Sequence, residues 1–337
     1  MSFLTKLPAE RYSTDAFKGF KGGRDFDIGN ATAMAWMSQL AYETDEPKKI
    51  GDILASFGLT LVDGGVIVRE SKTVLPIAST HCFVARHPKA VIVAFAGTDP
   101  VSLANWISDF DAHLDEGAGT AEGYRVAVDV VWPDLKRLLG KCVPPGGKIL
   151  VTGHSLGGAL AALTAERINT ELIAGHTELR GDEEVEAIYT FGMPRAGSQA
   201  FADLYNGHLG QRTYRLVHGE DIVPTVAPSE LQFRHLGRFL RCPRQGKFDS
   251  AKLANDVSSD EPPFVAGAAS SFMEHLHGPL SAVGAALEQI KLAVALGAGV
   301  NIPNMRNDPG GIIIELLPPR LRDHMPDRYI DACRLGS

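Results

Sequence analysis

The chain has 337 residues, 45% of them hydrophobic and 22% charged, which is enough apolar content for one large globular core or two modest ones. Its net charge of −7 does not favour binding to nucleic acid or to an anionic membrane surface. The sequence contains no apolar run of about 18 residues, so no transmembrane segment is predicted.

The N-terminus and the cysteines bear on the cellular compartment. The first residues, M-S-F-L-T-K-L-P-A-E-R, lack the long apolar stretch of a secretory signal. We therefore predict a cytoplasmic protein, with export by a route without a signal peptide as the alternative. The cysteines are widely scattered and have no metal-ligand spacing, so we predict free thiols in a reducing cytosol and no metal site.

The predicted elements alternate between helix and strand along much of the chain. Residues 1–26 are mixed and polar, which predicts an irregular N-terminal arm over the surface. The alternation between residues 90 and 217 predicts an α/β fold, with a mainly parallel sheet covered by helices on both faces. The predicted helices cover residues 31–42, 53–57, 122–140 (with a bend at Pro133), 156–172 and 199–205. The predicted strands cover residues 66–70, 80–85, 90–96, 149–151, 185–191, 212–217 and 234–241.

The segment 99–112 has an amphipathic pattern. Four large apolar side chains share one face at helical spacing, and polar residues lie beside them. A short helix of this kind is either a lid over an acyl pocket or a surface helix whose apolar face packs on the core, and the pattern alone does not choose. The four apolar residues are Leu103, Trp106, Ile107 and Phe110.

The alternating pattern breaks after Pro243. Residues 244–310 are rich in turns, apart from one predicted amphipathic helix over 279–300, and an apolar run returns at 312–317. We interpret residues 244–310 as an insertion within a single domain that spans residues 1–337, with an extra cap as its candidate role.

The segment 153–157 reads G-H-S-L-G, between a predicted strand and a predicted helix. A serine at such a sharp turn is held in a strained backbone conformation, and glycines on either side remove collisions across the turn. This context predicts that Ser155 is a nucleophile and that the N–H of Leu156 stabilises an oxyanion. The alternative is a turn of small residues without chemistry.

A second group of polar atoms follows the predicted strand over residues 90–96. Ligand sites of open α/β sheets gather at the ends of central strands. Thr98 offers both an N–H and a hydroxyl there, so we predict it as the second oxyanion donor. The alternative is a turn threonine that caps the next segment.

A serine nucleophile needs an imidazole to accept its proton and a carboxylate to orient that imidazole. In this type of fold, the acid and then the histidine follow the serine along the chain. Asp221 lies in a tight turn just after a predicted strand and is our predicted acid, with Glu220 as its local competitor.

The choice of the base is less constrained by the sequence. His324 follows the last apolar run, where the final residue of such a triad is expected, so we predict it as the base. His275 and His277, in the predicted insertion, are the alternatives. His235 lies in a basic, strand-like stretch and is interpreted as structural.

Several motifs together resemble the class 3, or fungal-type, lipases. The elbow V-T-G-H-S-L-G-G-A-L-A, the Y-T-F-G-M-P-R-A-G segment and the H-G-E-D-I-V-P segment are similar to that family's elbow, its following strand and the segment bearing its catalytic aspartate. The last of these implies Asp221 as the acid. The motifs span residues 151–161, 189–197 and 218–224, with F-A-G-T at 95–98, N-W-I at 105–107 and D-H at 323–324 followed by Y-I at 329–330.

The resemblance implies an α/β-hydrolase fold and an acylglycerol lipase that works through an acyl-enzyme intermediate. It implies a lipid ester substrate, reached when a lid opens at an oil–water or membrane interface, and no metal or organic cofactor. The alternatives are an esterase or phospholipase of different acyl specificity, and a non-catalytic lipid-binding relative. The oligomeric state and the acyl chain length do not follow from the sequence.

Overall fold

The computed structural model describes the chain in several stretches. These are residues 5–71, 79–98, 122–175, 178–179, 181–225, 233–255, 257 and 319–334. The predicted lid at 99–112, most of the predicted insertion at 244–310 and the apolar run at 312–317 lie outside the described residues.

A seven-stranded sheet runs through the described part of the chain, with its strands in sequential order from β1 to β7. The β1–β2 and β2–β3 pairings are antiparallel, and all pairings from β3 to β7 are parallel. The strands are β1 (Thr60–Glu70), β2 (Ser79–His87), β3 (Ala90–Phe95), β4 (Lys148–His154), β5 (Glu184–Phe191), β6 (Thr213–His218) and β7 (Arg238–Cys242).

Helices cover both faces of this sheet. The α-helices of the described residues are α1 (Ile28–Leu40), α2 (Pro47–Ser56), α3 (Glu122–Asp129), α4 (Trp132–Cys142), α5 (Leu156–Arg167), α6 (Gln199–His208), α7 (Pro319–Arg322) and α8 (Pro326–Cys333). A π-helical segment, Ile168–Ala174, continues α5.

The sequential strand order explains how the helices divide between the faces. Right-handed connections between neighbouring parallel strands place every connecting helix on the same side of the sheet. Accordingly, α3, α4, α5 and α6 contribute to one apolar cluster on one face. The helices nearest the chain ends, α1, α2 and α8, contribute to a second cluster on the opposite face. The predicted α/β fold, with a mainly parallel sheet and helices on both faces, is confirmed.

The central strands are buried along their whole length. Every residue of β3 and of β6 is buried, as is every residue of β4 after Lys148. A parallel strand covered on both faces needs apolar side chains at most positions, not at alternate ones. The apolar runs of the sequence therefore marked the strands that carry the site at their carboxyl ends.

Several predicted elements differ in extent from the observed ones. The helix predicted over 53–57 is α2, which begins at Pro47, and the strand predicted over 234–241 is β7, which begins at Arg238. The helix predicted over residues 122–140 is two helices, because Pro133 lacks an N–H and α4 starts afresh with Pro133 in its first turn. The strand predicted over 66–70 begins earlier, at Thr60, since β1 contains a register shift between Leu61 and Val66.

The N-terminal arm is irregular but it is not a loose surface segment. Its aromatic side chains Tyr12, Phe17 and Phe20 are buried. The Tyr12 ring lies 5.6 Å from that of Trp36 on α1, and the Phe17 ring lies 5.6 Å from that of Phe57. The arm thus extends the apolar layer over one face of the sheet. Within the described residues, every helix is too short or too polar to cross a membrane.

Candidate active site

Ser155 stands at the junction between β4 and α5 in a strained conformation. Its backbone has φ 58° and ψ −134°, and among the described residues it is the only non-glycine with positive φ. Left-handed backbone of this kind is unfavourable for a residue with a Cβ, and it persists only where its surroundings impose it. Here the Ser155 N–H donates to the carbonyl of Phe191 at 2.8 Å. The strain and its support mark Ser155 as a functional position.

The two glycines of the motif are required by close backbone approaches. A Cβ on Gly153 would lie 2.0 Å from the carbonyl oxygen of Gly157, across the turn. A Cβ on Gly157 would lie 2.6 Å from the carbonyl oxygen of Phe95, at the end of β3. Gly157 therefore allows the start of α5 to pack directly against the end of β3. The G-x-S-x-G motif alone does not indicate this contact, because Phe95 is distant from Gly157 in the sequence.

The predicted oxyanion donors lie beside the serine. Leu156 is the first residue of α5, where the N–H groups of a helix have no intrahelical partner and favour negative charge. Thr98 is half-buried and directly follows Gly97, whose missing Cβ would lie 2.8 Å from Cβ of Ser155. The chain leading to Thr98 is held by the N–H of Ala96, which donates to the carbonyl of His81 at 3.0 Å.

Asp221 and His324 form a buried pair, although 103 positions separate them in the sequence. The His324 Nδ1–H donates to Oδ2 of Asp221 at 2.8 Å, and the two side chains are 1% and 0% exposed. The other oxygen, Oδ1, accepts the N–H of Val223 at 2.9 Å. The competing carboxylate, Glu220, is 61% exposed and faces Arg244, so it does not reach the histidine.

Oδ2 of Asp221 has a second donor, a residue that the sequence placed in a motif without assigning it a role. Tyr329, on α8, donates its hydroxyl hydrogen to this oxygen at 2.5 Å. Burial raises the pKa of Tyr329 well above its ordinary value, and the negative charge of Asp221 raises it further. The phenol therefore stays protonated and remains a donor at neutral pH.

The reactive atoms of the serine and the histidine share a buried neighbourhood. Ser155 Oγ and His324 Nε2 are both buried, and neither has a hydrogen-bond partner within the described part of the chain. The Ser155 N–H is bonded to Phe191, and the next residue, Gly192, lies under the His324 ring. Buried polar atoms without partners are rare and call for a functional explanation. Hydrogen bonds of catalytic groups are often long before substrate binds.

His154, the variable residue before the serine, holds the backbone of the catalytic loop. Its Nε2–H donates to the carbonyl of His324 at 2.6 Å, and its Nδ1 accepts the hydroxyl of Tyr42 at 2.8 Å. Burial, and then repulsion from His324, lowers the pKa of His154 well below its ordinary value. The ring is therefore neutral and its tautomer is fixed by these two bonds. Sequence patterns gave no signal for this role, since His154 occupies a position open to any residue in G-x-S-x-G.

Three of the predicted site residues, Ser155, Asp221 and His324, thus lie in one buried region. Leu156 follows the serine in the chain, and Thr98 is brought near it by the close approach of Gly97 to Ser155. The alternative bases His275 and His277 lie outside the described residues. So do all four predicted lid residues, Leu103, Trp106, Ile107 and Phe110. His235 is buried, as expected for a structural residue.

Residues 92–231 match the sequence profile of the family described as Lipase (class 3). Over this range, which is less than half of its length, the chain is similar to the class 3 lipase family. The matched range contains Thr98, Ser155 and Asp221, while His324 lies beyond its end.

Two proteins named as secreted fungal lipases are similar to this chain. A secreted mono- and diacylglycerol lipase of Fusarium solani is 32% identical over 154 residues, which are 44% of this chain and 42% of that protein. A secreted mono- and diacylglycerol lipase of Malassezia globosa is 25% identical over 236 residues, or 64% of this chain and 69% of that protein. The chain spans less than half the length of the Fusarium relative that it matches.

Solved lipase structures share the fold. A triacylglycerol lipase, described as having a serine protease triad as its catalytic centre, superposes with a TM-score of 0.50 at 25% identity, over 64% of this chain and 79% of that one. The lipase of Rhizopus microsporus var. chinensis superposes with a TM-score of 0.52 at 23% identity, over 70% and 79% of the two chains. The second likeness is one of fold alone.

The predicted cytoplasmic location is wrong, because the mono- and diacylglycerol lipases that this chain is similar to are named as secreted proteins. The prediction rested partly on interpreting the cysteines as thiols of a reducing compartment. All four cysteines are free and buried, and burial raises the pKa of Cys82 and of Cys333 above its ordinary value. A buried, protonated thiol is unreactive in any compartment. Free cysteines in this fold therefore do not indicate a reducing environment.

Proposed function

We propose that this protein is a serine carboxylic-ester hydrolase that acts on acylglycerols through Ser155, His324 and Asp221. The observation that carries the proposal is that two buried polar atoms of the same site, one on the serine and one on the histidine, lack hydrogen-bond partners in the described part of the chain. Ser155 Oγ stands on a strained turn, and His324 Nε2 belongs to a ring whose other nitrogen is held by Asp221. This arrangement supports a hydroxyl that loses its proton to an imidazole as it attacks a carbonyl.

In the first half of the reaction, His324 Nε2 accepts the proton of Ser155 while Oγ bonds to the ester carbonyl carbon. Asp221 keeps the Nδ1–H of the ring in place and stabilises the imidazolium. The N–H of Leu156 and the donors of Thr98 hold the tetrahedral oxyanion. The imidazolium then gives its proton to the departing alcohol, and the acyl group remains on Ser155.

In the second half, the same groups act in reverse. His324 removes a proton from water, the resulting hydroxide attacks the acyl carbon, and the proton returns to Ser155 as the carboxylic acid leaves. Every proton in both halves passes through Nε2 of His324. The cycle uses only side chains and main-chain N–H groups, and needs no metal or organic cofactor.

The proposed substrates follow from the relatives, which are named as mono- and diacylglycerol lipases. A lipid ester is therefore the expected substrate class, with mono- and diacylglycerols preferred to triacylglycerols. We further propose that residues 99–112 form a lid whose apolar face meets the lipid interface. The assignment of 1–337 to one domain, with residues 244–310 as an insertion, stays a prediction.

The test compares the wild-type protein with Ser155→Ala and with Ser198→Ala on emulsions of mono-, di- and triolein. Ser198 caps α6 by accepting the N–H of Phe201, so its loss costs only about 1 kcal/mol of stability and leaves the site intact. We expect Ser155→Ala to lower kcat on the order of 10⁴-fold or more, and Ser198→Ala to keep wild-type kcat. Undiminished hydrolysis by Ser155→Ala would rule out the proposed nucleophile. A preference for phosphatidylcholine or for nitrophenyl butyrate would instead indicate a phospholipase or a short-chain esterase.

The base is tested separately, with His324→Ala beside His275→Ala and His277→Ala. We expect His324→Ala alone to abolish turnover and to abolish rapid labelling of Ser155 by a fluorophosphonate, because the probe reacts only with an activated serine. A protein that labels poorly in its wild-type form would indicate a non-catalytic lipid-binding relative. Loss of activity in one of the other two variants would move the base into the segment 244–310.

A further inference from the structure

The residue before the catalytic histidine, Asp323, has a buried carboxylate that touches neither Ser155 nor the His324 ring. Its side chain is 4% exposed, and its Oδ2 accepts the N–H of Glu220 at 2.8 Å. Glu220 directly precedes Asp221. One side chain therefore connects the loop that carries the base with the turn that carries the acid.

Arg244 binds this carboxylate as a fork. Its Nε lies 2.8 Å from Oδ1 and 2.9 Å from Oδ2, and an Nη atom lies 2.8 Å from Oδ2. Planar guanidinium groups that contact both oxygens fix direction as well as charge. Since Arg244 follows β7 by two residues, the fork also fastens the catalytic loop to the end of that strand.

His218, the last residue of β6, joins the same two residues through their main chains. Its Nδ1 faces the carbonyl of Asp323 at 3.2 Å, and its Nε2 faces the carbonyl of Arg244 at 3.0 Å. The imidazole is buried, so these contacts are shielded from water. A neutral imidazole has one N–H, so the ring of His218 donates to one of these two carbonyls and packs against the other. It thus lies between the main chains of Asp323 and Arg244, whose side chains are joined by the fork.

The turn between His218 and Asp221 is shaped to receive the Asp323 carboxylate. Gly219 has φ +55°, and a Cβ at this position would lie 2.5 Å from Oδ2 of Asp323. Only glycine adopts this conformation without strain and leaves room for the carboxylate. Arg241 supports the turn from β7 by donating to the carbonyl of Gly219 at 2.8 Å.

We propose that Asp323, held by Arg244, is a positioning residue that sets the distance between the His324 imidazole and the Asp221 carboxylate. We name the set Asp323, Arg244, His218 and the Glu220 N–H the clasp. The clasp acts through the backbone: it fixes the Cα of His324 relative to that of Asp221, while the His324–Asp221 hydrogen bond fixes the ring. This inference rests on the proposed function, because it assigns the clasp to the catalytic step of that same site.

The clasp should depend on the charge of Asp323. Burial raises the pKa of Asp323, but the Arg244 fork and the Glu220 N–H outweigh it, so the pKa stands below its ordinary value. The carboxylate is therefore ionised at neutral pH, and protonation breaks the clasp only when the pH falls through the depressed pKa. Without the guanidinium, the pKa of Asp323 rises and the clasp fails at a higher pH.

The experiment measures kcat and KM of the full chain on nitrophenyl butyrate for Asp323→Asn, Arg244→Gln and the double variant. Because small displacements of catalytic groups cost up to about 100-fold in rate, we expect kcat to fall about 10- to 100-fold with KM within about twofold of wild type. The double variant should be no slower than the slower single variant, since both remove one interaction. Arg244→Lys should restore kcat only in part, because an ammonium group cannot form the fork.

The pH dependence of kcat separates positioning from general loss of structure. The acid limb should move to higher pH in Arg244→Gln, and this shift should be absent when Asp323→Asn is added, because no carboxylate at position 323 is left to titrate. Glu220→Gln is the matched control: it removes an exposed charge beside Arg244 but keeps the N–H that binds Asp323, so its kcat and pH profile should match those of the wild type.

Unchanged kcat in both single variants would overturn the inference, as would equal losses in Glu220→Gln. A lowered melting temperature with kcat per labelled serine unchanged would show that the clasp only stabilises the fold. If Asp323→Asn does not fold, the kcat of Arg244→Gln alone tests the inference. The Arg244 side chain is 47% exposed, and its removal buries no new group. Fluorophosphonate labelling of the wild-type protein is measured first. If the wild-type protein does not label, the proposed function is wrong. If it labels and the clasp variants keep the wild-type kcat, only this inference is wrong.

Discussion

The hydroxyl of Tyr329 lies 2.5 Å from Oδ2 of Asp221, the same oxygen that accepts the Nδ1–H of His324. A buried carboxylate oxygen with two donors is satisfied and cannot rotate away from either of them. The Tyr329 ring is itself held between aromatic neighbours, with its centroid 5.8 Å from that of His154 and 5.9 Å from that of Phe191. The phenol therefore orients the carboxylate that orients the imidazole.

Tyr329→Phe should lower kcat about tenfold and leave KM unchanged. The variant keeps the ring packing but removes one donor from a charged group, and hydrogen bonds to charged groups contribute about 1.5–3 kcal/mol. Part of this loss should appear as lower stability, measured by urea unfolding, and part as slower turnover, measured on nitrophenyl butyrate.

The matched control for Tyr329→Phe is Tyr205→Phe. Tyr205 is also fully buried, and its hydroxyl is hydrogen-bonded to that of Thr213 at 2.8 Å, beneath α6. It should lose stability without losing kcat. Equal effects of the two substitutions on kcat would contradict a role for Tyr329 in orienting Asp221.

Gly192 lies directly against the side chains of Asp221 and His324. A Cβ at this position would lie 2.6 Å from Oδ2 of Asp221 and 2.8 Å from Nδ1 of His324. These contacts are shorter than any real Cβ contact, so the side chains must move. Gly192→Ala should therefore push the two catalytic groups apart and lower kcat on the order of 100-fold.

Gly58→Ala separates this steric effect from backbone strain. Gly192 and Gly58 have φ of +62° and +78°, so alanine is strained at both, but a Cβ on Gly58 meets no atom within 4 Å. Each variant should lose about 1 kcal/mol of stability from the left-handed backbone. Only Gly192→Ala should lose activity, and a fully active Gly192→Ala would show that the pair tolerates displacement.

The sequence predicted those features that local physics determines. The strand β3 and the elbow at Ser155 were recognisable because a strand buried on both faces is apolar throughout, and because a strained serine needs small neighbours within a few positions. The order of serine, aspartate and histidine along the chain pointed to Asp221 and His324, because that order follows from the fold.

The supporting residues escaped prediction because their partners are distant in the sequence. Tyr329 and Asp221 are 108 positions apart, Arg244 and Asp323 are 79 apart, and His154 and His324 are 170 apart. Periodicity and spacing report only neighbours within a few turns of chain. Contacts of this range are created by the sheet order, which brings the ends of β4, β6 and β7 together with the chain's last helices.

His81, on β2, supports the strand end that leads to Thr98. Its carbonyl accepts the N–H of Ala96, and its ring nitrogens Nδ1 and Nε2 each lie 2.7 Å from a hydroxyl, those of Thr44 and Ser79. A neutral imidazole has one donor and one acceptor, which two hydroxyls can satisfy. Burial lowers the pKa of His81 from 6.5 to about 4, so the folded protein keeps the ring neutral where an unfolded chain would protonate it.

The free energy of unfolding should therefore fall as the pH drops from about 6.5 towards 4. In this range the unfolded state binds a proton that the folded state does not, which favours unfolding as acid is added; above it both states are neutral and the stability is full. Allowing for the partial exposure of the ring, we expect His81 to account for about 1–2 kcal/mol of the loss between pH 7.5 and pH 5.

His81→Gln keeps an amide donor and acceptor for the two hydroxyls but does not titrate, so urea unfolding at the two pH values should show a smaller difference than in the wild type. The control is His208→Gln, which removes an exposed histidine on α6. Its free energy of unfolding should differ between the two pH values by as much as that of the wild type. A loss of the same size in His81→Gln and in the wild type would mean that other groups account for the acid sensitivity.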